Sequence, residues 1–215
     1  MALDGWKERL FRRYLFWACR PARVRRILPR PGAVPAARHF PKNRVRAAAL
    51  QLELKLFRHP MDYVEEMHRR VKEAAAEGAQ LVAFPEMNNL QLLGMLPGIE
   101  QAGAAAAAAE PAAAGGEARG GGGITLADVI FYAGPAMEPL LKATFSTLAA
   151  AYGLYIMAGS FLLPDGEKMV NRAMLFGPGG ELIGTQDKVH WTLLEKEWGV
   201  SRIKYNIFRK FIEVQ

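Results

Sequence analysis

The 215-residue chain carries 28 Lys and Arg against 21 Asp and Glu, a net charge of +7, and 51% of its residues are hydrophobic, enough for a sizeable core. Its single cysteine, Cys19, excludes an internal disulfide framework and fits a reducing, cytoplasmic setting. No apolar run reaches the roughly 18–20 residues of a membrane span, and Arg12, Arg13 and Arg20 interrupt the N-terminal apolar residues that a secretory signal would need.

The charge is unevenly placed. Residues 1–46 hold 13 Lys/Arg and two acids, Asp4 and Glu8, a net +11, whereas residues 47–215 hold 15 against 19, a net −4. Residues 1–28 mix Trp6, Leu10, Phe11, Tyr14, Leu15 and Trp17 with arginines, and the first part has the composition of a basic amphipathic helix stopped at Pro21. Two readings stand for it: contact with an anionic surface, membrane or nucleic acid, through residues 1–46, or a helix docked on its own domain or an extension of it. Pro29, Pro31, Pro35 and Pro41 mark a linker, so residues 1–43 form a leader and the domain begins at 44.

At Val45 the texture changes. RVRAAALQLEL reads as a first strand. Pro60 and Asp62 open a helix in which Val64, Met67, Val71, Ala74 and Ala75 recur at helical spacing, with Gly78 as its C-terminal cap. LVAFPE is the next strand, and strand, helix, strand of these lengths predicts a βαβ unit with parallel strands. Residues 102–123 are low in complexity, 18 of the 22 being Ala or Gly, and such a segment has little to bury against its ordering cost, so it reads as an insertion within the domain. Pro139 to Tyr152 is a second helix, ended by Gly153. LYIMAGSFLL, VNRAMLFG and ELIGTQDKVH are three strands joined by the turns PDGEK and GPGG, a run of antiparallel hairpins. The body is α/β with a mixed sheet.

YIMAGSF followed by VNRAMLFGPGGELIGTQDKVH resembles the middle of the nitrilase superfamily of carbon–nitrogen hydrolases, and RVRAAALQLEL, the helix after it and LVAFPEMN resemble that family's opening. The resemblance covers residues 44–199. It implies a nitrilase-type four-layer α-β-β-α sandwich, here incomplete. It also implies hydrolysis of a non-peptide C–N bond in a small amide, nitrile or carbamoyl compound through a thioester, with no cofactor. A full-length relative is expected to be a homo-oligomer.

The family uses a Glu, a Lys and a Cys. By the resemblance Glu86 matches the glutamate, Lys188 the lysine, and Glu195 a second glutamate that orients them, with Glu197 as an alternative. Each role has a chemical reason. A thiol is mostly protonated at neutral pH and needs a base, which Glu86 suits if partly desolvated. Attack on an amide or nitrile carbon builds negative charge that a fixed ammonium at Lys188 would stabilise. Taken alone, Lys188 would be an exposed strand-end lysine, Asn171 a turn or strand-end polar residue, and His190 a surface histidine. No His, Cys and Asp cluster has metal-ligand spacing.

The pattern departs from the family at the nucleophile. The family's cysteine follows its lysine by a few tens of residues, whereas none of the 27 residues after Lys188 is Cys, and Cys19 matches no family motif. Residues 200–215, Val200 followed by SRIKYNIFRKFIEVQ, lack the Ala, Gly and Pro common elsewhere. The expectation is a divergent or truncated end, an uncovered sheet face and edge, and little activity, the alternative being a non-catalytic chain that acts by association.

Overall fold

The computed structural model describes residues 5–33, 44–99, 126–193 and 195. The Ala/Gly insertion at 102–123, the tail from 200 and Glu197 lie outside the described residues. In chain order the elements are α1 (Gly5–Ala18), α2 (Pro21–Ile27), β1 (Ala47–Ala49), α3 (Pro60–Ala76), β2 (Leu81–Ala83), a 3-10 helix (Asn88–Met95), α4 (Leu126–Tyr152), β3 (Tyr155–Asp165), β4 (Lys168–Phe176) and β5 (Leu182–Asp187).

The five strands form one sheet in sequence order, β1-β2-β3-β4-β5. β1, β2 and β3 are parallel, with Ala48 opposite Val82 and Val82 opposite Ile156. β3–β4 and β4–β5 are antiparallel. The βαβ unit and the two hairpins are therefore as the sequence predicts. Both parallel connections advance the sheet in the same direction, and right-handed crossovers then bring α3 and α4 to the same face.

α3 begins with Pro60 in its first turn and Asp62 beside it, a favourable charge at a helix N-terminus. It buries Tyr63, Val64, Met67, Val71 and Ala74. Its outer face carries Arg69 paired with Glu66 and Glu73, and Arg70 with Glu66, ion pairs at helical i,i+3 and i,i+4 spacing that solvent screens. Gly78 ends it with φ of 79°; its N–H meets Ala75 O at 2.9 Å and the Ala79 N–H meets Ala74 O at 3.0 Å, a paired closure of the last turn.

α4 differs from expectation. The sequence predicts a helix from Pro139, yet it runs from Leu126, with Pro135 and Pro139 inside. Each proline forgoes one intrahelical bond, and burial offsets the loss: Ile130, Ala133, Met137, Leu140, Leu141, Phe145 and Leu148 are fully buried. Gly134 lies against Pro164 of β3, where a Cβ would come within 2.4 Å of the Pro164 ring. Phe145 centres the core, its ring 5.0 Å from Phe84, 5.8 Å from Phe161 and 6.4 Å from Phe176.

The first strand is also shorter than the predicted RVRAAALQLEL. A parallel ladder can be no longer than its partner, and β2 soon ends: Phe84 N donates to Met157 O at 2.9 Å, and Pro85, without an N–H, stops the series. β1 accordingly ends its ladder at Leu50 N to Ala83 O, 2.9 Å.

α1 and α2 pack on α4 by one face. Leu15, Cys19, Val24 and Leu28 belong to the core, the Phe11 ring stacks on Tyr132 at 6.4 Å, and Tyr132 Oη donates to Glu8 O at 3.1 Å.

Candidate active site

Glu86, Lys188 and Glu195 come from three places in the chain and converge. Lys188 Nζ lies 2.7 Å from Glu86 Oε1 and 2.8 Å from Glu195 Oε2. Glu86 and Lys188 are 102 residues apart in sequence, so the contact is a product of the fold.

Glu86 is placed by the end of β2. Once Pro85 has stopped the ladder, the chain turns off the sheet, with Met87 in a left-handed conformation at φ of 53°. Three groups fix that turn on β3. Met87 N donates to Ser160 Oγ at 3.1 Å. Asn89 acts as a piece of strand, its Nδ2 donating to Leu162 O at 2.8 Å and its Oδ1 accepting from Leu162 N at 3.0 Å. Gly159, at a register shift in β3, has φ of 79° and lets the Pro85 carbonyl approach so closely that a Cβ would lie 2.0 Å from its oxygen. The motif AGSF thus seats the backbone that presents Glu86.

Lys188 follows β5 directly, and its N–H continues the ladder to Asn171 O at 2.8 Å. Glu195 lies one short turn on. Thr192 holds it: the Thr192 N–H meets Glu195 Oε2 at 2.9 Å, and Glu195 N donates to Thr192 Oγ1 at 3.2 Å.

Asn171, on β4, is the residue whose role sequence reasoning missed. It is 2% exposed, not a turn residue, and its Nδ2 donates to Glu86 Oε1 at 2.8 Å and to Glu195 Oε1 at 2.9 Å. Two carboxylate acceptors require the amide NH2 on that side. The available signal was its place in VNRAMLFG, on the strand between the one carrying Ser160 and the one leading into Lys188.

The two carboxylates differ in setting. The Glu195 side chain is 1% exposed, whereas that of Glu86 is 52% exposed, so the desolvation expected at Glu86 is found at Glu195 instead. Burial alone would raise the Glu195 pKa; the Lys188 ammonium, the Thr192 N–H and the Asn171 amide overcome it and hold the carboxyl at about 2. Burial likewise opposes the charge on Lys188, but hydrogen bonds to Glu195 and Glu86 prevail and raise its pKa. At neutral pH the cluster contains a fixed ammonium braced by an ionised, buried carboxylate. Such an arrangement can steady developing negative charge, while the exposed Glu86 can exchange a proton with a bound molecule.

The remaining sequence expectations fall as follows. His190 is exposed. Cys19 is 1% exposed within the α1–α2 region of the core, and burial pushes its thiol up to about 12. A groove of about 580 Å³ on the described surface is lined by Lys55, Phe57, Asp62, Glu66 and Arg69 and includes neither Glu86 nor Lys188. Among the described residues no group of three His, Cys, Asp or Glu is placed to hold a metal, and no helix is long and apolar enough to cross a membrane.

Comparison with known structures gives the same architecture. The chain is similar to a cysteine-to-alanine mutant of the Nesterenkonia AN1 amidase from the nitrilase superfamily at 15% identity and a TM-score of 0.50, covering 83% of this chain and 52% of that one. It is also similar to Saccharomyces cerevisiae Nit3, a member of branch 10 of that superfamily, at 16% identity and a TM-score of 0.48, covering 75% of this chain and 49% of that one. The chain thus spans about half the length of these solved structures. A search of curated protein sequences gave no match. Residues 46–204 match the family model Carbon-nitrogen hydrolase, and the chain belongs to that family.

Proposed function

We propose that the chain carries the acid–base and charge-stabilising groups of a hydrolase acting on the C–N bond of a small amide, nitrile or carbamoyl compound. Glu86 is the base that accepts the nucleophile's proton. Lys188 stabilises the negative charge that forms on the substrate oxygen or nitrogen as its carbon is attacked. Glu195 and Asn171 are positioning residues, acting through Lys188 and Glu86. The observation that carries this reading is Lys188 Nζ held between two carboxylates at 2.7 and 2.8 Å, on a pair of residues that the family motifs singled out. Self-association and a cytoplasmic setting belong to the same proposal.

The test is a titration of isotope-labelled protein with a small aliphatic amide and nitrile, followed by NMR. Saturable shifts at Glu86, Lys188 and their neighbours, lost in Lys188→Met, support the proposal. Saturable shifts confined to other residues, or the absence of any saturable response, overturn it.

A second reading is favoured by one observation. The single cysteine is buried on the helical side with its thiol pushed up to about 12, so it offers no ready thiolate. In that reading these 215 residues are non-catalytic and act by association.

A further inference from the structure

α1 uses only one of its faces to pack. Phe11, Leu15 and Ala18 face the body of the protein, Leu15 at 1% and Ala18 at 2% exposure. Trp6, Leu10, Tyr14 and Trp17 recur at steps of four, four and three residues, so they form a second stripe along the same helix. That stripe is open: Trp6 is 59%, Leu10 60%, Tyr14 39% and Trp17 48% exposed. Four large apolar side chains aligned in solvent are unlike the single exposed apolar residues usual on protein surfaces.

The charge around the stripe is of one sign. Residues 5–33 contain nine Lys or Arg and one acid, Glu8. Arg9 and Arg13 flank the stripe one turn apart, and both are exposed, as are Arg20, Arg25 and Arg26 beyond the helix end. Arg23 lies over the Trp17 ring at 4.2 Å and Lys7 over Trp6 at 5.6 Å, so cations border the aromatic rings directly.

We infer that this stripe is a docking surface for an anionic lipid bilayer, on which α1 lies in the plane of the headgroups. Trp and Tyr favour that depth, Leu10 reaches the acyl boundary, and the flanking arginines meet lipid phosphates. A second copy of α1 is a poor occupant, because two such surfaces face to face would bring like charges together. Nucleic acid would satisfy the arginines and leave the Leu10 side of the stripe without a matching apolar surface. The inference is independent of the reading of Glu86 and Lys188.

The experiment is co-sedimentation of the full chain with vesicles of phosphatidylcholine alone and of phosphatidylcholine containing about one-third phosphatidylglycerol, with tryptophan emission recorded alongside. Binding to the anionic vesicles only, with a blue shift and a decline as salt is added, is expected. Arg13→Gln should weaken binding about 5-fold. Trp6→Ser with Leu10→Ser should weaken it about 10-fold or more while leaving the melting temperature unchanged, since both side chains are exposed. No preference for anionic vesicles, or binding indifferent to both sets of substitutions, overturns the inference. So does tighter binding to a short DNA duplex than to vesicles at the same salt, or self-association that the stripe substitutions abolish without vesicle binding.

Discussion

Lys188 is held by two carboxylates of opposite character, and the buried one sets the behaviour of the group with pH. The Glu195 carboxyl has a folded-state pKa of about 2 against an ordinary 4.5. A depressed carboxyl contributes stability that is fully present above its ordinary value and is lost as pH falls toward its folded value. The window is therefore from about 4.5 down to about 2, and the contribution is on the order of 3 kcal/mol. Lys188 behaves in the opposite sense: its raised pKa gives stability that is complete below the ordinary 10.5 and is lost as pH climbs through the raised value. Urea denaturation of the chain and of Glu195→Gln across pH 2–7 checks this. The difference between the two should shrink toward the acid end; a constant difference would mean that the Glu195 charge is not what the fold responds to. Asn171→Leu tests the other support. It leaves the buried Glu195 Oε1 without the Asn171 donor, and a loss of about 1–3 kcal/mol is expected in the same measurement.

At the scale of elements, the segment after β2 is rigid because β3 supplies its partners. Asn89 makes two hydrogen bonds to the buried backbone of Leu162, so Asn89→Ala should cost about 2–4 kcal/mol, read as a lowered urea midpoint. Gly159→Ala should be harsher, since its φ of 79° and the Pro85 oxygen both exclude a Cβ; loss of soluble protein or a large fall in melting temperature is expected, and a wild-type melting curve would contradict the close approach. These elements also show how far sequence patterns reach. Periodicity located α3, because Tyr63, Val64, Met67, Val71 and Ala74 line one face of it. It placed the start of α4 too late, because Pro135 and Pro139 are local stop signals that the packing of Ile130, Ala133 and Met137 overrides. It overextended β1, because the limit on that strand is Pro85 in its partner. At the site, Glu86 and Lys188 were legible as motif residues. The part played by Asn171 was not, since an amide in a strand shows two carboxylate partners only once β4 lies between Ser160 and Lys188.

For the molecule as a whole, the described residues amount to helices packed on one mixed sheet, with α1 and α2 against α4 and α2 also against α3. The Glu86–Lys188–Glu195 cluster lies at the turn after β2 and beyond the end of β5, and the single cysteine lies in the core by α1 and α2. The chemistry proposed for Glu86 and Lys188 needs a nucleophile whose proton Glu86 can accept. Cys19 is unsuited on two grounds: it is 1% exposed, and its thiol, pushed up to about 12, is almost wholly protonated at neutral pH. Water remains as the nucleophile, and positioning with charge stabilisation sustains some rate over the uncatalysed reaction when a nucleophile is removed. The 215 residues by themselves should therefore hydrolyse small amides and nitriles orders of magnitude more slowly than a competent thiol hydrolase. The residual rate should be indifferent to thiol alkylation and to Cys19→Ser, and lost in Glu86→Gln. The assay is ammonia release by the purified chain and these variants on a panel of small amides and nitriles. Rapid turnover abolished by Cys19→Ser would make the buried cysteine the nucleophile and require α1 and α2 to open. Rapid turnover that survives Cys19→Ser and falls in Glu86→Gln would instead assign these residues a fast water-based hydrolysis directed by Glu86, with no covalent intermediate on sulfur.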